Sequence, residues 1–329
     1  MLFITNRFPT QSIRTRKGRR FTFDLSNNAP SNSVFFCERI AAEEHEEIGG
    51  LALLQRLKEA EYRQVIVYIH GFSNLPEDVF AGAEELQRLC DEAKAKEAIV
   101  LPIIWPCDDD RGIVQDYWDD QKAADMSAAS IARVLDIFVQ WRNSEQANPV
   151  NAPCLKRVNI LAHSMGNRVL RAALAHWRRY DMPGGLPLLF RNTFLVAADI
   201  VNESLEFGHE GEHICNASRN VAVYYASDDL ALRASKAANL RARIASRRLG
   251  HTGPEDLDAT PKNVYSLDCD DLNTRYDYPK GHTYFRSAED GVRPGVVFNH
   301  IFNAILTGRI FPGDEFRRQA ILTDEFRPS

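Results

Sequence analysis

Short apolar runs alternate along this chain with longer amphipathic segments. Val65–Ile69, Ala98–Trp105 and Val158–Ala162 are each rich in aliphatic and β-branched residues, and each is long enough for one buried strand. Asn192–Ala197, Asn220–Ala226 and Asn263–Leu267 repeat the pattern, and the last of them is expected to be the final strand. Between the runs the spacing turns helical. Glu77 to Lys96 sets Val79, Leu86 and Leu89 on one face, behind Pro76 at a position that suits a first helical turn. A long helix is predicted from about Asp119, with Ala124, Ala128, Ile131, Leu135 and Phe138 along one side. Asn143–Pro153 reads as a linker, and Pro294–Leu306 as a terminal helix. Upstream, Phe21–Leu25 and Ser33–Glu38 read as an antiparallel lead-in. Continuous apolar strands alternating with helices predict an α/β fold: a mostly parallel central sheet covered on both faces.

Composition narrows the class without changing it. A chain of 329 residues can bury roughly three quarters of its unfolded surface, ample for one large core. The expectation is a single domain over 1–329, with 1–60 as a strand lead-in and 230–262 as a small helical cap insertion. A net charge of −5 and a pI near 6.0 provide no global field for nucleic acid or an anionic membrane. Six cysteines, at 37, 90, 107, 154, 215 and 269, are scattered without C-x-x-C spacing, as expected of reduced thiols in the cytoplasm. The opening Met1–Arg7 turns polar by residue 5 and has no signal-peptide core. No apolar run approaches the ~20 residues of a membrane span. A cytoplasmic protein is expected, with its oligomeric state left open.

Candidate chemistry concentrates where two apolar runs stop. Val158–Ala162 ends in His163-Ser164-Met165-Gly166, with helix-compatible Arg168–Leu174 beyond. A serine on so tight a strand-to-helix turn needs small neighbours at minus two and plus two, here Ala162 and Gly166, which matches a G-x-S-x-G elbow with Ala in the first glycine place. The turn lifts the hydroxyl clear of the sheet and aims the Met165 N–H at a reacting carbonyl. Val65–Ile69 likewise ends in His70-Gly71-Phe72, where the Phe72 N–H is the candidate second oxyanion donor.

In these segments the chain resembles the α/β-hydrolase superfamily, and within it a bacterial branch known only as hydrolases of unknown function. The resemblance extends to Phe3–Arg7, Ile104-Trp-Pro106, Tyr117 to Ser130 with Asp120, Ala124 and Ser127, and Ala197–Ile200. It continues through Ala226–Leu232, Arg248-Leu-Gly250 and Gly281–Tyr284. Ala198 stands where the branch would have proline, and Cys107 where it would have a small hydroxyl residue. The resemblance implies a Ser, then Asp or Glu, then His order for a catalytic triad. An imidazole must take the serine proton during attack, and a carboxylate must fix its tautomer. His282, in the loop Lys280–Tyr284, is the base favoured over His251 and His300. For the acid, the match to Ser-x-Asp-x-Ala-Leu ranks Asp229 ahead of Asp199 and Asp228. His163 beside the nucleophile is read as structural, pointing away from Ser164 and packing or bonding within the elbow.

The implied function is a serine hydrolase acting on an ester or related acyl bond of a small molecule, with no cofactor and no metal. A non-catalytic binding or scaffold protein, or a thioesterase, amidase or peptidase, are the alternatives. Two further patterns stand out. His209-Glu-Gly-Glu-His213 fits H-E-x-x-H, but Gly208 and Gly211 and the absence of an apolar face oppose a zinc-binding helix. Residues 230 to 254 hold no acid but carry Arg233, Lys236, Arg241, Arg243, Arg247 and Arg248, which read either as a solvated face or as a basic cap favouring anionic substrates.

Overall fold

The computed structural model describes residues 1–108, 112–144, 150–151, 153–233, 247–311 and 317–326. The strands in chain order are β1 (Leu2–Arg7), β2 (Arg19–Phe21), β3 (Pro30–Ala41), β4 (Glu44–Glu47), β5 (Gln64–Ile69) and β6 (Ala98–Ile104). They continue with β7 (Arg157–His163), β8 (Phe190–Val196), β9 (Ser218–Tyr225), β10 (Val264–Asp268) and β11 (Gln319–Ile321). Principal helices are α1 (Gly50–Glu59), α2 (Pro76–Ala93), α3 (Ile113–Met126), α4 (Ala128–Arg142), α5 (Gly166–Tyr180), α6 (Glu212–Ala217) and a C-terminal helix, Val296–Thr307. All the strands join one sheet in the order β11-β10-β9-β8-β7-β5-β6-β1-β3-β4-β2. Every pair from β11 across to β1 is parallel, and β3, β4 and β2 extend the far edge antiparallel.

The pleat explains why the central strands are apolar without alternation. Val65 and Ile69 of β5 pack into a core beneath α1, α4 and α5, whereas Ile66 and Tyr68 pack into a second core beneath α2 and the C-terminal helix. Leu101 and Ile103 of β6 face the first core, and Val100 and Ile104 the second. Both faces are dry, so both sets of alternate residues must be apolar. No helix among the described residues is long and apolar enough to cross a membrane.

Several elements differ from the sequence expectations. The run expected over Phe21–Leu25 yields only β2, because Asp24 and Asn27 accept hydrogen bonds from the N–H groups of Ser26 and Ala29 and turn the chain there. Phe3–Arg7, read only as a family likeness, is an interior strand between β6 and β3. The single long helix is two, starting at Ile113 and dividing at Ser127. There the Ser127 hydroxyl donates to the Ala123 carbonyl at 2.8 Å and accepts from Asn6 at 2.9 Å, a bond back to the preceding turn that bends helices. Asn263–Leu267 is not the final strand, since β11 adds itself to that edge, half-exposed and without the apolar run that marks a buried strand. Of the basic segment, Lys236, Arg241 and Arg243 lie outside the described residues. Arg248 is not on a solvated face: it is buried against Asp199.

Candidate active site

After β6 the chain crosses back over β5 to form β7, so the carboxyl ends of β5 and β7 diverge at a switch in strand order, where open α/β sheets bind ligands. Ile69 pairs with Ala162 in register, which brings the two turns His70-Gly71-Phe72 and His163-Ser164-Met165 side by side. They touch closely. A Cβ built on Gly71 would lie 2.9 Å from Ser164 Cβ and 3.5 Å from its Oγ, and one built on Gly166 would lie 2.4 Å from the Ile69 carbonyl oxygen. Glycine is required at both places by these approaches, and not by φ.

Ser164 itself takes φ +53°, in the left-handed region that a residue with a Cβ enters at a cost. The elbow is held from below. The Ser164 N–H donates to the Val196 carbonyl at 2.9 Å, its own carbonyl accepts from Asn167 and Asp199 N–H, and the Asn167 side chain donates to the carbonyls of Ala162 and Ser164. Met165 is the N-cap of α5, and its N–H and that of Phe72 lie on adjoining turns. Among the described residues neither donates to a backbone acceptor.

His70 fixes the neighbouring loop through its ring. Trp105 N–H donates to Nε2 at 3.2 Å, so the proton sits on Nδ1, which donates to the Gly71 carbonyl at 2.8 Å. The Trp105 indole stacks on the imidazole with centroids 5.1 Å apart and donates from Nε1 to the His70 carbonyl. Burial pushes the imidazole down to about 3, so it stays neutral. Nothing in the sequence reading gave this side chain a role, because a histidine ending a strand carries no signal of its partners.

Of the three aspartates weighed as acid, Asp229 is the one that meets His282: its Oδ2 lies 2.6 Å from His282 Nδ1, and its Oδ1 accepts the Leu232 N–H at 3.0 Å. It is fully buried. Burial alone would push the His282 imidazole down, but Asp229, with Asp199 and Asp277 further off, holds it above its ordinary value of 6.5. His282 Nε2 is buried with no hydrogen-bond partner among the described residues. Asp199 sits elsewhere, accepting from Tyr117 OH at 2.8 Å and lying 3.1 Å from Arg248 Nε. Asp228 accepts from Asn273.

Other sequence candidates fall away from this point. His300 lies inside the C-terminal helix with Nδ1 2.8 Å from Tyr224 OH, and burial pushes it down to about 4. His251 lies in the short helix Leu249–Thr252. His209 precedes α6 and His213 is in its first turn, so the two do not share a helical face, and no group of three or more metal-binding side chains occurs among the described residues. His163 reaches further than the elbow. Its Nε2 lies 3.1 Å from the His282 carbonyl oxygen and its ring 4.8 Å from the His282 ring, tying the nucleophile's turn to the histidine loop. Asp277 was not foreseen: its Oδ2 accepts the N–H of His282 and of Thr283, at 2.8 and 2.7 Å. A single aspartate five residues before a histidine offers no pattern to find it by.

No curated protein matches the chain. Among solved structures, a lipase-esterase related protein from Clostridium acetobutylicum is similar over 64% of this chain and 75% of its own, at 13% identity and a TM-score of 0.23. Residues 51–290 match the family model described as alpha/beta hydrolase of unknown function (DUF900), a span that contains His70, Ser164, Asp229 and His282. On that match, which covers most of its length, and with a parallel sheet flanked by helices, the chain belongs to this family of α/β-hydrolases.

Proposed function

We propose that the protein is a serine hydrolase that cleaves an ester or related acyl bond of a small molecule through an acyl-enzyme. The observation that carries this reading is the His282–Asp229 contact at 2.6 Å, which leaves the opposite ring nitrogen, Nε2, unpartnered beside the elbow. With Nδ1 protonated and bonded to Asp229, Nε2 is the basic nitrogen. Ser164 Oγ attacks the acyl carbon as Nε2 takes its proton. The N–H groups of Phe72 and Met165 receive the developing oxyanion, at about 3 kcal/mol for each donor. His282 then returns the proton to the leaving group, and water repeats the sequence to release the acid. Ser, His and Asp side chains with two backbone donors suffice for this chemistry, which needs no cofactor. Cysteines that are free, with Cys154 alone among them partly exposed, suit a reducing compartment such as the cytoplasm.

The test is labelling with a fluorophosphonate probe read by intact mass. Wild type is expected to gain one adduct, Ser164→Ala none, and His282→Ala to label far more slowly. A folded wild type that gains no adduct would sink the proposal.

A further inference from the structure

The oxyanion loop has a second anchor besides His70. Asp120, on α3, is fully buried, yet its carboxylate meets no cation within hydrogen-bonding distance among the described residues. Its partners are N–H groups from three separate connections. Oδ2 accepts the Ser73 N–H at 2.8 Å, and Oδ1 accepts the Asp108 N–H at 3.1 Å and the Asn28 side chain at 3.0 Å. Ser73 directly follows Phe72 and holds φ +54°, a left-handed residue with a Cβ, as Ser164 is. A left-handed turn of this kind costs about 1–2 kcal/mol and persists only where something over-determines it. One turn back along the same helix, Tyr117 meets the Phe72 ring edge-on, with centroids 5.7 Å apart. Positions i and i+3 share a helical face, so α3 grips Phe72 by its ring and Ser73 by its backbone.

We propose that Asp120 is a positioning residue for the reaction: by holding the Ser73 N–H it sets the direction of the Phe72 peptide N–H that faces the oxyanion. This rests on the serine-hydrolase reading above. Only an ionised carboxylate offers acceptors to all three donors at once. An asparagine of the same shape turns one oxygen into an N–H₂ group, so a buried N–H faces another donor. The surroundings make the ionised form costly as well as necessary. Arg7 from β1 lies nearby with its Nη1 donating to the Cys107 carbonyl, while Asp108 and the Cys107 thiol add no positive charge. Burial, followed by the repulsion of Asp108, outweighs the three hydrogen bonds and pushes Asp120 up to about 6.

The experiment compares wild type with Asp120→Asn on a p-nitrophenyl ester and on the fluorophosphonate probe. The expected result is a kcat lower by about 100-fold, the scale of a 1 Å misplacement, with KM within about twofold and probe labelling slowed by the same factor but still at Ser164. A purely structural role would not change the pH profile. Below pH 6 the wild-type log(kcat/KM) should steepen toward a slope of 2, one proton on His282 and one on Asp120, and in Asp120→Asn it should fall back to 1. Equal labelling rates for a folded Asp120→Asn and the wild type would overturn the proposal and leave the hydrolase reading standing. An unlabelled wild type would overturn both. If Asp120→Asn does not fold, the wild-type pH profile decides: a slope of 2 below pH 6 supports the proposal, and a slope of 1 overturns it.

Discussion

The two ends of the same parallel strands are built on opposite principles. At the amino ends, Gln64, Asn159, Asn192 and Asn220 form a buried ladder of neutral amides across β5, β7, β8 and β9. Asn159 donates to Gln64, Asn192 to Asn159 and Asn220 to Asn192, the last two at 2.8 Å. The same amides donate to the carbonyls of Ala304, Ile305 and Gly308 at the end of the C-terminal helix, where the Ala304 carbonyl also accepts the Gly308 N–H. At the carboxyl ends, Ser73, Ser164 and Ala197 all hold positive φ, His282 Nε2 lacks a partner, and buried Asp120 is pushed up to about 6. At the amino ends the ladder amides are bonded to one another and to the helix end, with Lys96 alone left-handed beside β6; the carboxyl ends hold three left-handed residues and keep an unpartnered imidazole nitrogen. The contrast separates where this fold is stabilised from where it reacts.

That separation can be broken experimentally, beginning with the largest effect. Asp229→Asn is expected to lower kcat/KM by about 10⁴-fold through the wrong histidine tautomer, while urea unfolding shows a smaller change in stability than any ladder variant. Gly71→Ala comes next. Its Cβ would lie 2.9 Å from that of Ser164, and a strain of about 1–3 kcal/mol at the elbow should appear as a roughly tenfold or greater loss in esterase kcat. At the other end, Asn192→Ala strands the Asn220 amide and the Asn159 oxygen. It should cost about 2–4 kcal/mol in urea unfolding with kcat per folded molecule unchanged. A comparable loss of activity would show that the ends are not independent. His163→Phe removes one bond to the His282 carbonyl, a matter of about 1 kcal/mol, and should slow turnover only several-fold.

pH sharpens the same comparison. His282 must be neutral to act, and its pKa is raised above 6.5, so kcat/KM should climb with pH through a midpoint on the alkaline side of that value. Stability runs the other way. A raised folded pKa contributes stability that is fully present below the unfolded value and fades as pH rises through the folded one. Wild type should therefore lose a small increment of stability across the range in which it gains activity, and Asp229→Asn should lose both trends. The amide ladder has no group that titrates there.

The sequence revealed the carboxyl end better than the amino end. Ser164 and His70-Gly71 were legible because tight turns demand small residues at fixed offsets, and a local rule leaves a local trace; the candidate acids were ranked only by resemblance to the hydrolase branch. The central strands were legible because two dry faces force unbroken apolar runs. Asp277, Asp120 and the imidazole of His70 were not, since their partners lie on other connections and single polar residues have no period. The amide ladder was invisible for the same reason: its rungs are separated by 28, 33 and 95 residues. β11 and the division of the long helix at Ser127 escaped because an exposed edge strand has no apolar run and one serine reads as helix-tolerant.

Gln64 has a consequence for the newborn chain. Its side chain donates to the Ile305 carbonyl, 241 residues further on. At 5–20 residues per second on the ribosome, that acceptor arrives roughly 10–50 seconds after Gln64 has been made. Until then β5 sits beside its neighbours with an amide waiting at its foot, and the C-terminal helix can seat only on strands already in step. The last long helix is thus bonded through three carbonyls to a ladder whose rungs meet only when β5, β7, β8 and β9 are in register.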